Sequence, residues 1–284
     1  MKTIAIYHKN CNDGTTAAAV VLRRYPDAIV TPMAHSFVPE EIAPIVASAA
    51  LGDRILTVDC VIGAKEFLAA GHNVTSIDHH AGIQEEYTKL AADNPAYTFV
   101  FDNAKCGASL SWATLFPGEP MPELIKYIED VDLWKWQYKP DSKYVNNYIF
   151  LLANKPEEVL PLLDKPLDDV KRDGSIVARY SDLMIANDTR ENEPVDVMVG
   201  GHSVPFYNIT SNKSDAGNIL CTLRGCAVGL FTIDGPKLAI SFRSLDGQSP
   251  SAFELAKALG GGGHRNAAGA RMTLEHFIQS IKKP

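Results

Sequence analysis

Short apolar runs recur along the first part of the chain and alternate with segments whose apolar residues return every three or four positions. Residues 2–7, 28–33, 54–58, 73–77 and 97–101 read as strands, rich in Ile, Val, Tyr and Phe and bounded by polar or glycine-bearing turns. Between and after them, 15–24, 39–51, 64–70, 84–92, 106–115 and 121–130 carry helical spacing. Strand and helix alternating at this interval predicts a mostly parallel sheet with helices on both faces. Residues 144–152 and 156–186 continue as helices. The polar, apolar-poor stretch 188–194 then predicts a linker, dividing the chain into 1–187 and 188–284.

The pattern changes after the linker. Residues 195–199 and 204–208 read as a hairpin around Gly200-Gly201, and 226–233 and 237–242 as another around Asp234-Gly235-Pro236. Helices are expected at 214–223 and 251–259, followed by four glycines, 260–263, and His264-Arg265-Asn266-Ala267-Ala268-Gly269. The fold class is therefore α/β, with a smaller α/β C-terminal domain that carries a glycine-rich loop.

Composition sharpens this only at a few points. The 284 residues are 46% hydrophobic and 21% charged, an ordinary globular balance. No apolar run is long enough for a membrane span, and 42–51 is interrupted by Pro44. The apolar start is too short for a signal peptide. Five cysteines form no CxxC pair. Together these predict a cytoplasmic protein in a reducing setting, with no membrane partner. A net charge of −7 argues against a sequence-independent grip on long duplex nucleic acid. It leaves room for a short phosphorylated substrate held by a few local cations.

The candidate chemistry lies where strands end. The first strand runs into His8 and the turn that holds Cys11 and Asp13; the third ends at Asp59; the fourth ends in Asp78-His79-His80. In a parallel sheet these ends share one edge, the edge where open α/β sheets bind ligands. Carboxylates mixed with histidines suit Mn²⁺, Mg²⁺, Fe²⁺ or Zn²⁺, and no thiolate set points to a structural zinc site. Asp130 and Asp132 sit at a predicted helix C-terminus, where the dipole disfavours acids. Trp134 and Trp136 are expected to anchor the following loop to the core. Downstream, Gly261, Gly262 and Gly263 permit close backbone approach to an anion, with His264, Arg265 and the strand-borne Arg243 as further contacts.

These residues, in this order and spacing, resemble the DHH phosphoesterase superfamily with its DHH-associated C-terminal domain, over nearly the whole chain. The resemblance rests on Asp13-Gly14, Asp59, Asp78-His79-His80, the acids at 130 and 132, and Gly261-Gly262-Gly263-His264 with Ala267-Ala268-Gly269. It implies a metal-dependent phosphodiesterase that hydrolyses oligoribonucleotides or dinucleotides with a two-metal activated water. The ions would be two Mn²⁺, with Mg²⁺ or another divalent ion as the alternative. It implies His8, Asp13, Asp59, His79 and Asp130 as metal ligands, Asp130 being preferred to Asp132 because it directly follows the helix. Asp59 would bridge, Asp78 would orient an imidazole and His80 would contact the scissile phosphate. Arg243, Gly261, Gly262, Gly263, His264 and Arg265 would bind substrate, and a homodimer is compatible with it.

One departure is visible. The family commonly carries two acidic residues in the first motif, whereas here Asp13 is accompanied by Asn10, Cys11 and Thr15. Two alternative readings stay open, and this departure favours the second. One is a pyrophosphatase or polyphosphatase; the other is a nucleotide-binding module without turnover. A dinucleotide-binding dehydrogenase is disfavoured, because the first strand-to-helix turn lacks GxGxxG.

Overall fold

A computed structural model describes residues 1–34 and 37–281; residues 35–36 and 282–284, including the end of the expected second domain, lie outside the description. The chain forms two compact units, Met1–Ala178 and Arg179–Pro284.

The first unit is built on β1 (Thr3–His8), β2 (Ile29–Met33), β3 (Arg54–Val58), β4 (Val74–Asp78) and β5 (Tyr97–Phe101), in the spatial order β2-β1-β3-β4-β5. Every neighbouring pair is parallel. Five residues of β1 are buried, because a central parallel strand is covered on both faces. Its alternation assigns the faces: Ala5 and Tyr7 join one apolar cluster, Ile4 and Ile6 another. α1 (Asn12–Arg24) packs in the first cluster, its buried run Ala17–Val21 being small enough to lie deep among neighbouring helices. α2 (Pro39–Ser48), α3 (Ala64–Ala69) and α4 (Gln84–Asp93) cover the other face.

α5 (Gly107–Leu115), α6 (Glu123–Asp132), α7 (Asp141–Phe150) and α8 (Pro156–Val159) complete the layer that contains α1. α9 (Asp168–Glu191) is one continuous helix, so 188–191, expected to begin a linker, form its last turn. The two units part within α9. Because β1 lies between β2 and β3, the chain leaves β1 to one side and later continues on the other. The strand ends on either side of such a switch point cannot both be covered by their own connections, which opens a crevice there.

The second unit contains β6 (Val195–Val199), β7 (His202–Tyr207), α10 (Lys213–Arg224), β8 (Val228–Asp234), β9 (Lys237–Arg243), α11 (Ala252–Ala258), β10 (Gly262–His264), β11 (Ala267–Thr273) and α12 (Leu274–Ser280). Its sheet order is β10-β11-β9-β8-β7-β6, antiparallel except for β7 with β8. The glycine-rich segment is an edge strand rather than a free loop: Gly262 pairs with Gly269 and His264 with Ala267. Among the described residues, no helix is long and apolar enough to cross a membrane.

Candidate metal centre

At the switch point, β1 ends in His8 and β3 in Asp59, while β4 delivers His79 from the next strand over. Asp59 is the residue on which the others converge. It is 1% exposed, and its backbone lies in the left-handed region at φ 55°, a conformation that costs a non-glycine residue about 1 kcal/mol or more. Its two carboxylate oxygens face different partners: Oδ2 lies 3.6 Å from His8 Nδ1, and Oδ1 lies 3.3 Å from His79 Nε2. Neither oxygen accepts a hydrogen bond of normal geometry among the described residues. A buried carboxylate left in that state is costly unless a cation completes it.

Each end of Asp59 meets its own ligand group. His8, Cys11 and Asp59 offer donor atoms that all lie within 4.8 Å of one another, and so do Asp13, His79 and Asp132. His79 Nε2 sits 3.6 Å from Asp13 Oδ2 and 3.7 Å from Asp132 Oδ2, so one imidazole faces three carboxylates. Burial pulls the His79 imidazole down, but Asp59, Asp13 and Asp132 outweigh it and carry it up to about 10. Burial pushes Asp13 well above the usual carboxylate range, reinforced by Asp59 and Asp132. Burial also pushes Asp132 up to about 6, although its side chain keeps 26% of its surface open. For Asp59 burial acts upward too, but the imidazoles of His79 and His8 prevail and hold it low. Excess negative charge around imidazoles, with oxygens aimed inward, is a donor set that divalent cations fit.

Asp78 and His80 also offer donor atoms within 4.8 Å of those of Asp59 and His79, and Asp78 has a local task besides. Asp78 Oδ1 accepts the backbone N–H groups of His79 (2.7 Å) and His80 (3.2 Å), and lies 2.6 Å from His80 Nδ1. Asp78 therefore fixes the His80 ring, not that of His79. Asp78 and the carboxylate of Asp59 carry His80 up to about 9 against its burial. The His80 side chain remains 26% exposed.

The structure brings together His8, Asp13, Asp59 and His79, with Asp78 and His80 beside them. Asp130 does not join them. Its carboxylate accepts the N–H groups of Gln137 (2.6 Å) and Tyr138 (3.1 Å), and its carbonyl accepts those of Lys135 and Trp136. The preference for Asp130 over Asp132 assumed a helix ending near 129, but α6 runs on to Asp132 and sets that residue beside His79.

Two contributors carried no signal of chemistry in the sequence. The N–H groups of Gly107 and Ala108, at the start of α5, donate to Asp13 at 2.5 and 2.7 Å. A Cβ on Gly107 would stand 2.6 Å from the Asp59 Cβ, so only glycine lets the helix lie against that side chain. Gly14 does the same for α1, where a Cβ would stand 2.3 Å from the His8 carbonyl oxygen. The small-residue run Cys106-Gly107-Ala108-Ser109 was the available hint of a close approach.

In the second unit, Arg243 pairs across the sheet with Ala267, next to the turn that holds Arg265. Its guanidinium donates to Ser214 Oγ (2.9 Å) and the Phe242 carbonyl (2.8 Å), while the aliphatic stem of the side chain packs on Gly217. Burial lowers Arg243, and burial with the Arg243 charge lowers Lys213, so two cations share this corner. Gly262, Gly263, His264 and Arg265 are exposed on the β10–β11 hairpin, with Gly261 half-buried at its base. A Cβ on Gly261 would meet the Gly269 carbonyl oxygen at 2.1 Å, which explains that glycine by strand packing.

No protein-family model matches the chain. It is 26% identical over 218 residues, 72% of its length, to the uncharacterised protein R106 of Acanthamoeba polyphaga mimivirus. It spans about half the length of that curated relative, 49%. Among solved structures, exonuclease RecJ bound to manganese aligns over 98% of this chain and 88% of its own, at TM-score 0.56 and 18% identity. The pGpG-specific phosphodiesterase PggH from Vibrio cholerae aligns over 98% and 96%, at TM-score 0.50 and 14% identity. The chain has the fold of these two structures.

Proposed function

We propose that this chain, with its DHH-superfamily fold, is a metal-dependent phosphodiesterase acting on short phosphorylated substrates, oligoribonucleotides or dinucleotides. The observation that carries the reading is Asp59. It is a buried, strained carboxylate with one oxygen toward His8 and the other toward His79, each within its own ligand group. Asp130 spends both oxygens on backbone N–H groups, whereas both oxygens of Asp59 face imidazoles and accept no hydrogen bond of normal geometry among the described residues.

His8, Cys11 and Asp59 would hold one ion, and Asp13, His79 and Asp132 another, with Asp59 shared. Mn²⁺ is the ion we assign first to the oxygen-rich Asp13–His79–Asp132 group. Bound divalent cations would supply an acidified water and neutralise charge on phosphoryl oxygens. The protein's own part is positional. Asp13 is locked by two N–H groups of α5, so it cannot swing toward solvent. Asp78 fixes the His80 ring, which can then present a proton to a phosphate oxygen without reorganising. Asp59 and His79 are themselves 1% and 5% exposed, so charge interactions made on them are weakly screened.

The second unit is proposed to bind substrate through Arg243, Gly261, Gly262, Gly263, His264 and Arg265. The cationic corner of Arg243 and Lys213 supports a phosphate ligand, and the net charge of −7 supports a short one.

The test is release of mononucleotide from a labelled linear dinucleotide, in chelator and after adding back Mn²⁺. Wild type should cleave only with the ion. Asp59→Asn should lose more than about 100-fold in kcat/KM while keeping its circular dichroism spectrum. Turnover that is indifferent to chelator, or retained in Asp59→Asn, refutes the metal-dependent reading. Cleavage of pyrophosphate but of no dinucleotide moves the substrate to the base-free class.

A further inference from the structure

We propose that Cys11 is a thiolate ligand, which makes the His8–Cys11–Asp59 group a mixed N, S, O site that prefers a borderline ion such as Zn²⁺ or Co²⁺ to Mg²⁺ or Mn²⁺. The inference deepens the metal-dependent reading above and rests on it.

Four observations place the thiol in this role. Its sulfur lies within 4.8 Å of both the His8 imidazole and the Asp59 carboxylate. Asp59, 1% exposed, turns toward this group an oxygen that accepts no hydrogen bond of normal geometry among the described residues. Cys11 is also the N-cap of α1, at φ −126° and ψ 134°, yet its side chain makes no capping hydrogen bond. That position ordinarily selects Ser, Thr, Asp or Asn, each worth about 1 kcal/mol more than a non-capping residue. A cysteine there gives up that stabilisation, so helix capping does not account for it.

The fourth observation separates Cys11 from the three buried thiols; the fifth cysteine, Cys226, is exposed in the second unit and belongs to none of these ligand groups. Cys60, Cys106 and Cys221 are fully buried and belong to apolar clusters, where a thiol acts as a small hydrophobe. Cys11 is half-buried and belongs to none of the described clusters. Its backbone is also held in place. The Cys11 carbonyl accepts Thr15 N–H (3.0 Å) and Thr15 Oγ1 (2.7 Å). Asn10, at φ 57°, is tied to Asn154 by a backbone N–H to Oδ1 bond (2.8 Å) and an amide–amide bond (2.5 Å). A loop pinned on both sides presents the sulfur at a fixed place, as a ligand requires.

Ligand type then sets the ion. Thiolate and imidazole favour zinc-like ions, whereas Mg²⁺ and Mn²⁺ are served best by oxygen donors. The second group, Asp13, His79 and Asp132, is oxygen-rich, so the two positions differ in preference. On binding, the Cys11 thiol loses its proton to solvent and the sulfur lone pair is donated to the ion.

The experiment titrates Co²⁺ into the full chain after chelator treatment and follows the near-ultraviolet thiolate-to-cobalt charge-transfer band. Wild type should show the band, saturating with one equivalent, and Cys11→Ser should lack it. In competition with a chromophoric chelator, Cys11→Ser should lose more than about tenfold in Zn²⁺ affinity, and Mn²⁺ affinity should change by less than about threefold. Cys11→Asp should invert the preference, gaining Mn²⁺ affinity relative to Zn²⁺. Thermal unfolding of each variant in chelator confirms that the fold persists. Co²⁺ binding without the band, or a band that survives Cys11→Ser, overturns the proposal even if dinucleotide cleavage still requires a metal. A wild-type chain that binds no divalent ion at all overturns this proposal and the metal-dependent reading together.

Discussion

Asp130 and Asp132 show how two acids of one type, two positions apart, take different work. On a helix, residues i and i+2 point about 200° apart, so one can face the fold's interior loop while the other faces a neighbouring strand end. Asp130 builds the turn after α6 by accepting Gln137 and Tyr138 N–H groups. That turn places Trp134 and Trp136 in the left-handed region at φ 56° and 53°, with Trp134 45% exposed rather than anchored in the core as the sequence suggested. Asp130→Ala should therefore cost about 1–3 kcal/mol in urea unfolding, because it removes two hydrogen bonds to a carboxylate that is itself buried. Asp132→Ala should leave the unfolding free energy from urea titration within about 0.5 kcal/mol of wild type and weaken Mn²⁺ binding by calorimetry more than tenfold. The reverse pattern would exchange their roles. The sequence made the Asp-x-Asp pair visible, and the choice within it turned on a helix end displaced by about three residues, a quantity that periodicity does not fix.

At the scale of elements, the start of α5 does the most for the site with the least sequence signal. Its helix was legible from apolar spacing, but the function of its first turn depends on a missing side chain. Gly107 lies against Asp59, and its N–H and that of Ala108 hold Asp13. Helix propensity alone makes Gly107→Ala stabilising by up to about 1 kcal/mol. A Cβ at 2.6 Å from the Asp59 Cβ reverses the sign, so the variant should lose about 1–3 kcal/mol by chemical denaturation and most of its Mn²⁺ affinity. A stabilised variant that binds Mn²⁺ normally would show that the helix start can retreat. The glycine run 260–263 taught the opposite lesson. Lacking side chains, it displays no period-two alternation, and so a paired strand looks like a loop. Its partner β11 does alternate, with Ala268, Ala270 and Met272 buried between exposed neighbours, and that strand draws β10 into the sheet edge.

At the scale of the whole chain, the centre gathers residues from His8 to Asp132, brought together only because β1 lies between β2 and β3. The sequence made this legible as three strands each ending in a ligand-type residue. What it could not display is the charge balance once they meet. Asp13, Asp59 and Asp132 crowd one imidazole, and no described Lys or Arg forms an ion pair with any of them. Folding the unit therefore concentrates negative charge that a bound cation would offset, and binding linkage turns the offset into stability. At a free Mn²⁺ concentration about 100 times Kd, the gain is about 2.7 kcal/mol, or about 5–10 °C in the unfolding temperature of a unit of this size. Calorimetry in chelator and in Mn²⁺ should show that rise, and Asp59→Asn should abolish it. The β6–β11 unit has its own apolar clusters around Phe206 and Phe242 and none of these ligands, so a transition assigned to it by hydrogen exchange should not move with metal. An unfolding temperature indifferent to Mn²⁺ in wild type would mean that the protonated imidazoles of His79 and His80 already neutralise the acids. The buried oxygens of Asp59 would then be a strained structural feature and not the seat of an ion.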